Sequence, residues 1–322
     1  MPRMGFQAAH AVAASVALVA VIGGLASSPA ALSSTRTTGG GTIAFVRFSD
    51  SIGRPRLFIA RPGDGGAVLV PVHLGAVDGP AWSPDGRSLI VVGGVNGHQG
   101  PRVTEAEDLY LVRRDGRATR RLTHDAAHES GVAWAPDGKR IVYVRSSLVE
   151  PNQSSLYLRG MAVGARPRRL TFGSTDLQPS WSSNGRWLAF LRISPRTRTN
   201  GIWVVRPDGS GLHRVLGPLL NVTDPVWSPR GNRLVVSDGT RLMTVRATGT
   251  ARQAIARLAA DGHGSRLDPE PAWSPDGTRI VFTQMRSGSD GRADLWIVGA
   301  DGRGLVRLTH SSGLDFSPSW GS

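Results

Sequence analysis

A tryptophan motif returns along this chain at nearly constant spacing. AWSPDG at residues 81–86 reappears as AWAPDG from 133, SWSSNG from 180, VWSPRG from 226 and AWSPDG from 272, and a last copy, PSWGS, ends the chain. The motif tryptophans are Trp82, Trp134, Trp181, Trp227, Trp273 and Trp320, so successive copies lie 46 to 52 residues apart. A period in the forties that contains strands rather than helices is typical of propeller blades.

The cleanest copy, residues 272–309, predicts four strands. AWS, RIVFTQ, DLWIVG and GLVRLTH are short runs rich in β-formers, separated by turns. In the SPDG turn Pro275 presets φ, Asp276 accepts hydrogen bonds from nearby backbone, and Gly277 takes the positive φ that closes it. The turn glycine recurs in all five complete copies, as Gly86, Gly138, Gly185, Gly231 and Gly277. Four antiparallel strands per unit make one blade.

The two ends of the repeat region complete each other. TIAFVRF from Thr42 matches a second strand with no Trp strand before it, and FSPSWGS at 316–322 is a first strand with nothing after it. Pairing them removes two exposed sheet edges. We therefore expect an all-β fold over residues 41–322, a six-bladed β-propeller of four-stranded antiparallel blades closed by pairing the C-terminal strand with the N-terminal blade.

The repeat PxWSPDGxxIxF…LWxVxxDGxxxxxLT resembles the TolB-like β-propeller repeat, a relative of the WD-repeat class. The resemblance covers residues 41–322 and implies the propeller fold. It also implies docking onto partner proteins of the cell envelope. Because propellers carry many unrelated activities, the fold alone does not define the chemistry.

The N-terminus has the layout of an export signal. Arg3 precedes an apolar run of small residues from Ala11 to Ala26, followed by SSPA. We expect residues 1–30 to be a signal peptide or an uncleaved anchor, and residues 31–40 to be a flexible linker. The predicted location is therefore secreted, periplasmic or at the outer face of the cytoplasmic membrane, with membrane contact only through this segment.

The amino-acid composition limits the catalytic chemistry and the binding partners that the chain can have. The chain has no Cys, which excludes disulfides and thiolate catalysis, and its net charge is +14 with Lys139 as the only lysine. The positive charge suits an anionic envelope polymer or an envelope protein, or it reflects a bias toward arginine along the whole chain. No dense basic run is present, so nucleic-acid binding is not expected. We expect a monomer.

Familiar catalytic motifs are missing from the sequence. There is no G-x-S-x-G nucleophile elbow, no H-E-x-x-H and no phosphate-binding loop. His124 and His310 follow equivalent RLT segments in different repeats, where surface histidines are more frequent than metal ligands. No catalytic residue and no cofactor is predicted.

An acid precedes each motif tryptophan by three to five residues. These acids are Asp78, Glu129, Asp176, Asp224, Asp268 and Asp315. If the first strand of each blade is innermost, they surround one mouth of the central channel, where they could hold a divalent cation such as Ca²⁺ or meet a basic partner. Alternatively, each carboxylate accepts hydrogen bonds from its own turn or from the backbone of the next blade.

Three loops between second and third strands break the regular pattern, at residues 93–107, 146–155 and 193–200. Irregular loops on a regular scaffold often carry binding function, although neutral drift also produces them. The predicted partner-binding residues are Asn96, His98, Arg102, Arg196 and Arg198. These observations favour a macromolecule-binding scaffold at the cell envelope with no evident catalysis. The alternatives are a metal-dependent hydrolase or lyase at the channel mouth and a purely structural module.

Overall fold

A computed structural model describes residues 41–49, 53–94, 107–124, 127–146, 153–194, 196–197, 199–219, 221–259, 268–286 and 292–322. Every regular element in these ranges is a β-strand, as the repeat predicts. None of the described residues belongs to a helix that is long and apolar enough to cross a membrane. The predicted signal peptide and linker, residues 1–40, lie outside the described residues.

Twenty-four strands form six sheets of four strands, and each sheet is one blade. Blade one contains β1 (Thr42–Phe48), β2 (Arg56–Ala60), β3 (Ala67–Leu69) and β24 (Leu314–Gly321), and blade two contains β4 (Ala76–Trp82), β5 (Ser88–Gly94), β6 (Asp108–Arg113) and β7 (Thr119–Arg121). Blade three contains β8 (His128–Trp134), β9 (Arg140–Ser146), β10 (Ser154–Gly160) and β11 (Arg168–Arg169), and blade four contains β12 (Thr175–Trp181), β13 (Leu188–Ile193), β14 (Asn200–Val205) and β15 (His213–Leu219). Blade five contains β16 (Thr223–Trp227), β17 (Arg233–Ser237), β18 (Arg241–Arg246) and β19 (Gln253–Arg257), and blade six contains β20 (Ala272–Trp273), β21 (Arg279–Met285), β22 (Ala293–Gly299) and β23 (Val306–Arg307).

The C-terminal strand closes the ring. β24 pairs antiparallel with β1, so that Trp320 lies opposite Ile43 and Leu314 opposite Phe48. The order in this sheet is β24-β1-β2-β3, with the C-terminal strand in the first-strand position. The first strands of consecutive blades also contact each other in succession around the molecule, from β24 through β4, β8, β12, β16 and β20 back to β24. The predicted six blades and their closure are confirmed, and the first strands are innermost.

The motif tryptophans lie between neighbouring blades. Trp82 of blade two is 7% exposed and packs with Ala44 and Leu57 of blade one as well as with Leu89 of its own blade. A methyl group at Gly321 would lie 2.5 Å from Cγ of Trp82, so the closing strand approaches this ring directly. Trp134 is half-buried, whereas the other five motif tryptophans are 7–8% exposed. Burial between blades explains why the tryptophan recurs once per blade.

The Pro-Asp-Gly turn follows the motif tryptophan at the C-terminal end of the first strand. The five turn glycines have φ between 65° and 78°, a region that side chains with a Cβ rarely adopt. In blade six the Ser274 hydroxyl donates to Asp276 at 2.6 Å, and the Thr278 backbone N–H donates to the same carboxylate at 3.1 Å. Local bonding of this kind explains why aspartate stands in the turn.

A backbone irregularity recurs in all six first strands. The residue three positions before each motif tryptophan has positive φ, between 43° and 53°, at Gly79, Gly131, Gln178, Asp224, Glu270 and Ser317. In five blades the register of the first two strands shifts at this point, which is the signature of a β-bulge. Positive φ is costly for residues with a side chain, and such sites often coincide with functional ones.

Candidate functional site

The six predicted acids divide into two sets. Glu129, Asp176 and Asp315 stand five residues before their tryptophans and are at most 1% exposed. Each lies opposite an arginine on the second strand of its own blade: the pairs are Glu129 with Arg145, Asp176 with Arg192, and Asp315 with Arg47.

Two of these pairs are bidentate ion pairs, in which the arginine donates two hydrogen bonds to the carboxylate. Arg192 donates from Nε to Asp176 at 2.7 Å and from Nη2 at 2.8 Å, and Arg47 makes the same two bonds to Asp315 at 2.6 and 2.9 Å. The guanidinium of Arg192 also lies 5.2 Å from the ring centres of Phe190 and Trp203. Asp176 and Asp315 therefore each have an arginine of their own blade as the cationic partner.

The other three acids lie together with a fourth carboxyl group. Asp78, Asp224, Asp268 and Glu270, here called the carboxyl cluster, come from blades two, five and six. Asp224 is buried and Glu270 half-buried, whereas Asp78 and Asp268 are exposed to water. Asp224 and Glu270 occupy the positive-φ position of their blades, and Asp78 directly precedes that position in blade two.

Desolvation raises the pKa of every group in the cluster, and the charges of neighbouring acids add to it at Asp78, Asp224 and Glu270. Desolvation is the largest cause of the raised pKa at all four positions. It raises the pKa of Glu270 to about 8, with the charges of Asp78 and Asp268 acting in the same direction. The pKa of Asp224 is raised well above its ordinary value by desolvation and then by the charges of Asp268 and Glu270. Among the residues that the structure describes, no arginine acts on the pKa of these four carboxyl groups.

A serine joins two members of the cluster. The Ser317 hydroxyl oxygen lies 3.0 Å from Oδ1 of Asp78 and 3.0 Å from Oε2 of Glu270. The Ser317 backbone N–H donates to the same Oε2 at 2.9 Å. A hydroxyl has one proton, so it donates to one of these oxygens and can accept from the other only if that carboxyl group is protonated. A proton held by Glu270 satisfies this arrangement.

A glutamine holds the remaining buried carboxyl group. Gln178 Nε2 donates to Oδ1 of Asp224 at 2.8 Å, and the Asp224 backbone N–H donates to Oε1 of Gln178 at 2.9 Å. Thr223 donates its hydroxyl to the other carboxylate oxygen at 2.8 Å. These bonds fix Asp224 across the boundary between blades four and five, but none of them supplies a positive charge.

One of the loops predicted to bind a partner, at residues 193–200, lies at the same end of the strands as the carboxyl cluster. In blade four Thr175, at the start of the first strand, pairs with Ile193, at the end of the second, so the loop after 193 lies beside the channel mouth. Arg196 in this loop is exposed. A cavity of about 240 Å³ here is lined by Ser174, Arg192, Thr199, Asn200, Trp203 and Arg214, among others. Asn96, His98, Arg102 and Arg198 lie outside the described residues.

The described residues contain no group of three or more His, Cys, Asp or Glu that is arranged to hold a metal ion. A single positively charged group, which needs only one or two carboxylate partners at hydrogen-bonding distance, makes smaller geometric demands on the carboxyl cluster.

Sequence reasoning missed Glu270, Gln178 and Ser317. A count of acids before each tryptophan assigned Asp268 to blade six and passed over Glu270, two residues later in DPEPAW. Aligning the copies on the tryptophan puts Glu270, Gln178, Ser317 and Asp224 at one repeat position. The same alignment puts Glu129, Asp176, Asp268 and Asp315 at another, so the six predicted acids are not equivalent.

Comparison with known proteins identifies the family. The profile of the TolB beta propeller domain matches residues 25–265, more than half of the chain. The chain belongs to this family. Blade six, which the profile does not cover, has the same four strands as the other blades.

The relatives agree with this membership. A Tol-Pal system protein TolB from Anaeromyxobacter dehalogenans is 32% identical over 165 residues, which are 49% of this chain and 36% of that protein. The chain therefore matches well under two thirds of the length of that TolB relative. The solved structure of TolB from Acinetobacter baumannii has a TM-score of 0.69 and 18% identity, over 87% of this chain and 66% of that one.

A structure of oligogalacturonate lyase in complex with manganese also has this fold. Its TM-score is 0.51 at 14% identity, over 83% of this chain and 72% of that one. At such identity the likeness concerns the fold alone.

Proposed function

We propose that this protein is an extracytoplasmic binding scaffold whose channel mouth receives a positively charged segment of a partner protein of the cell envelope. The observation that carries the proposal is the carboxyl cluster. Four acids converge at the inner ends of three blades, and desolvation raises the pKa of each, with no arginine among the described residues acting to lower it.

A lysine or arginine side chain would complete this site. A cation within about 4–6 Å of a carboxyl group favours its ionised form. Insertion of a guanidinium or ammonium group between Asp78 and Glu270 would release the proton that Glu270 holds and replace the carboxyl repulsion by charge-assisted hydrogen bonds. Because the cluster is partly desolvated, such bonds are stronger than on an open surface.

The propeller supports binding by holding these groups rigidly. Each member of the cluster lies on or beside an inner strand whose partner strand is fixed by backbone pairing, and Asp224 and Glu270 also have the positive φ that recurs at this repeat position. A site that is organised before binding loses less conformational entropy when its partner arrives. The alternative of a hydrolase or lyase has no comparable set of metal ligands among the residues that the structure describes.

Export to the cell envelope is part of the proposal. The apolar segment after Arg3 is its sequence basis. The relative from Anaeromyxobacter dehalogenans is named for the Tol-Pal system, which supports a partner protein over an anionic polymer.

Site-specific photo-cross-linking in the native cell tests the proposal. A photoreactive amino acid at Ser130, near the start of the first strand in blade three, is expected to cross-link a partner protein at a segment rich in Lys or Arg. The same amino acid at Arg87, beside the turn at the opposite end of the strands, is expected to give no such adduct. The result against the proposal would be equal cross-linking from both positions, or none from Ser130.

A second pair of variants distinguishes an effect of the carboxyl cluster from an effect of the protein's net charge. The triple variant Asp78→Asn/Asp224→Asn/Glu270→Gln is expected to lose the Ser130 adduct. The matched variant Asp85→Asn/Asp137→Asn/Asp276→Asn removes three carboxylates from the turns at the other end and is expected to keep it. Loss of the adduct in both variants would indicate an effect of net charge and would count against the channel mouth.

A further inference from the structure

Three copies of the segment RLT end a fourth strand, and their arginines have nearly the same surroundings. Arg121, Arg169 and Arg307 each donate from Nε to the carbonyl oxygen of the threonine two residues later, at 2.8 to 2.9 Å. The hydroxyl of that threonine accepts a backbone N–H from the third strand in all three blades. These positions can therefore be compared directly.

Blade three differs from the other two in the partner of its arginine. Arg121 is paired with Asp108, and Arg307 with Asp294 at 2.7 Å. The equivalent position in blade three is Ser155, whose hydroxyl accepts from Arg169 Nη2 at 2.9 Å. A hydroxyl completes the hydrogen bond but carries no charge. Among the described residues Arg169 therefore has no carboxylate partner, whereas Arg121 is paired with Asp108 and Arg307 shares Asp294 with Arg286.

The residue after RLT differs in the same blade. It is His124 in blade two and His310 in blade six, but Phe172 in blade three. The Phe172 side chain is 65% exposed, and the Arg169 guanidinium lies 4.7 Å from its ring centre. Most large aromatic side chains in soluble proteins are at least partly covered, so an exposed ring that carries a cation on one face is informative.

Arg169 and Phe172, the residues to which these two differences apply, line a groove between blades three and four. A cavity of about 380 Å³ is lined by Arg168, Arg169, Leu170, Phe172, Asp208 and Leu212, among others. Leu212 is 44% exposed, and the Asp208 carboxylate accepts the Ser210 backbone N–H of its own turn at 2.8 Å. Apolar surface from Phe172 and Leu212 therefore lies beside two arginines and a single acid.

We propose that this groove, here called the blade-three groove, binds an acidic side chain that is flanked by apolar residues on a partner protein. The partner's carboxylate meets the Arg169 guanidinium from outside the blade and takes the charge that Asp108 and Asp294 supply in the other copies. Its apolar neighbours cover Phe172 and Leu212. The site is formed by the outermost strand, away from the channel mouth, and does not depend on the function proposed above.

NMR titration of the full chain with ¹⁵N-labelled arginine tests the proposal. The probes are acetyl-Leu-Asp-Leu-amide and its uncharged match acetyl-Leu-Asn-Leu-amide, and the signal is the Nε–H resonance of Arg169. We expect saturable shifts with the aspartyl peptide and an affinity at least about tenfold lower for the asparaginyl peptide. Equal responses to both peptides, no saturation, or equal shifts at all exposed arginines would overturn the proposal.

Three variants assign the effect to the named residues. Ser155→Asp installs the carboxylate of the other two RLT blades, so it preserves the fold and is expected to weaken binding about tenfold or more by neutralising Arg169. Ser155→Ala removes the hydroxyl but leaves the charge, and binding is expected to stay within about twofold. Phe172→His restores the residue of the other blades and is expected to weaken binding about threefold. Undiminished binding by Ser155→Asp would show the proposal to be wrong.

Discussion

The Ser317 backbone N–H donates to the carboxyl group of Glu270 at 2.9 Å, and the Ser317 hydroxyl lies 3.0 Å from the same oxygen. The backbone N–H normally favours the ionised form of a carboxyl group, yet the pKa of Glu270 is raised to about 8. Desolvation and the neighbouring acids therefore outweigh this hydrogen bond. This balance makes Glu270 the most informative residue of the channel mouth.

Glu270 is expected to make the free protein less stable as pH rises. Its folded-state pKa, about 8, exceeds the ordinary 4.5, so folding favours the protonated form. The contribution of this group to stability is complete below pH 4.5 and decreases as pH rises to about 8. Denaturant unfolding should show Glu270→Gln close to wild type at pH 4 and more stable by over about 1 kcal/mol at pH 9. The same difference at both pH values would contradict this assignment.

Asp276 provides a matched control, because its pKa is shifted in the opposite direction from that of Glu270. Hydrogen bonds from Ser274 and Thr278 lower its pKa from 3.8 to about 2, although desolvation opposes them. Its contribution to stability is present above pH 3.8 and is lost as pH falls through about 2. Asp276→Asn should therefore be less stable than wild type at pH 7 by about 1 kcal/mol, after allowance for solvent screening, and the deficit should shrink below pH 4.

Gln178→Glu is expected to destabilise the protein in a pH-dependent way. Gln178 lies against Asp224, which is buried and already has a raised pKa. A carboxylate at 178 would remove the amide donor and add a like charge, which raises the pKa of Asp224 further. The free energy of unfolding of Gln178→Glu should lie below that of wild type at both pH 5 and pH 8, and the difference should be larger at pH 8. Gln178→Met, which removes the hydrogen bonds without adding charge, should lose similar stability at both pH values.

Arg192→Met is expected to cost about 3–5 kcal/mol, because it leaves Asp176, which is 0% exposed, without its cation. The double variant Asp176→Leu/Arg192→Met removes both charges and should recover much of this loss. Arg241→Met breaks the exposed pair with Asp238 and should cost no more than about 1 kcal/mol. Equal stabilities of the single and double variants would indicate that Asp176 has another partner.

Trp320→Ala tests the closure of the ring. Trp320 is 7% exposed and packs with Ile43 of blade one and Val281 and Leu295 of blade six. Removing a large buried side chain costs about 3–5 kcal/mol. Val163→Ala, at a side chain that is 90% exposed, should leave the unfolding midpoint unchanged. A loss for Trp320→Ala below about 1 kcal/mol would mean that the closing strand contributes little to stability.

The fold was predictable because each of its features is determined by a few neighbouring residues and recurs from blade to blade. Turn residues such as Pro275 and Gly277 and the alternation in RIVFTQ define strands within a few residues. The unmatched ends at Thr42 and Trp320 then leave one arrangement in which every blade is complete. Closure follows from pairing requirements and needs no knowledge of side-chain contacts.

The site was harder to predict because it arises from differences between copies. Asp176 and Asp224 both precede a tryptophan, but one stands five residues before it opposite an arginine and the other three residues before it at a bulge. The positive φ at Gln178 and Glu270 has no signal in residue type, because neither residue favours that conformation. The convergence of Asp78 with Glu270 depends on ring geometry, which brings blade two and blade six to the same channel.

Isothermal titration calorimetry of a cationic peptide tests the proposed channel-mouth site most directly. With acetyl-Gly-Lys-Arg-Lys-Gly-amide at pH 7, in buffers of different ionisation enthalpy, we expect saturable binding and net proton release, because a bound cation lowers the pKa of Glu270 from about 8. Asp78→Asn/Asp224→Asn/Glu270→Gln should abolish both. Binding without proton release, or binding that the triple variant retains, would contradict a carboxyl cluster that exchanges its proton for a partner's charge.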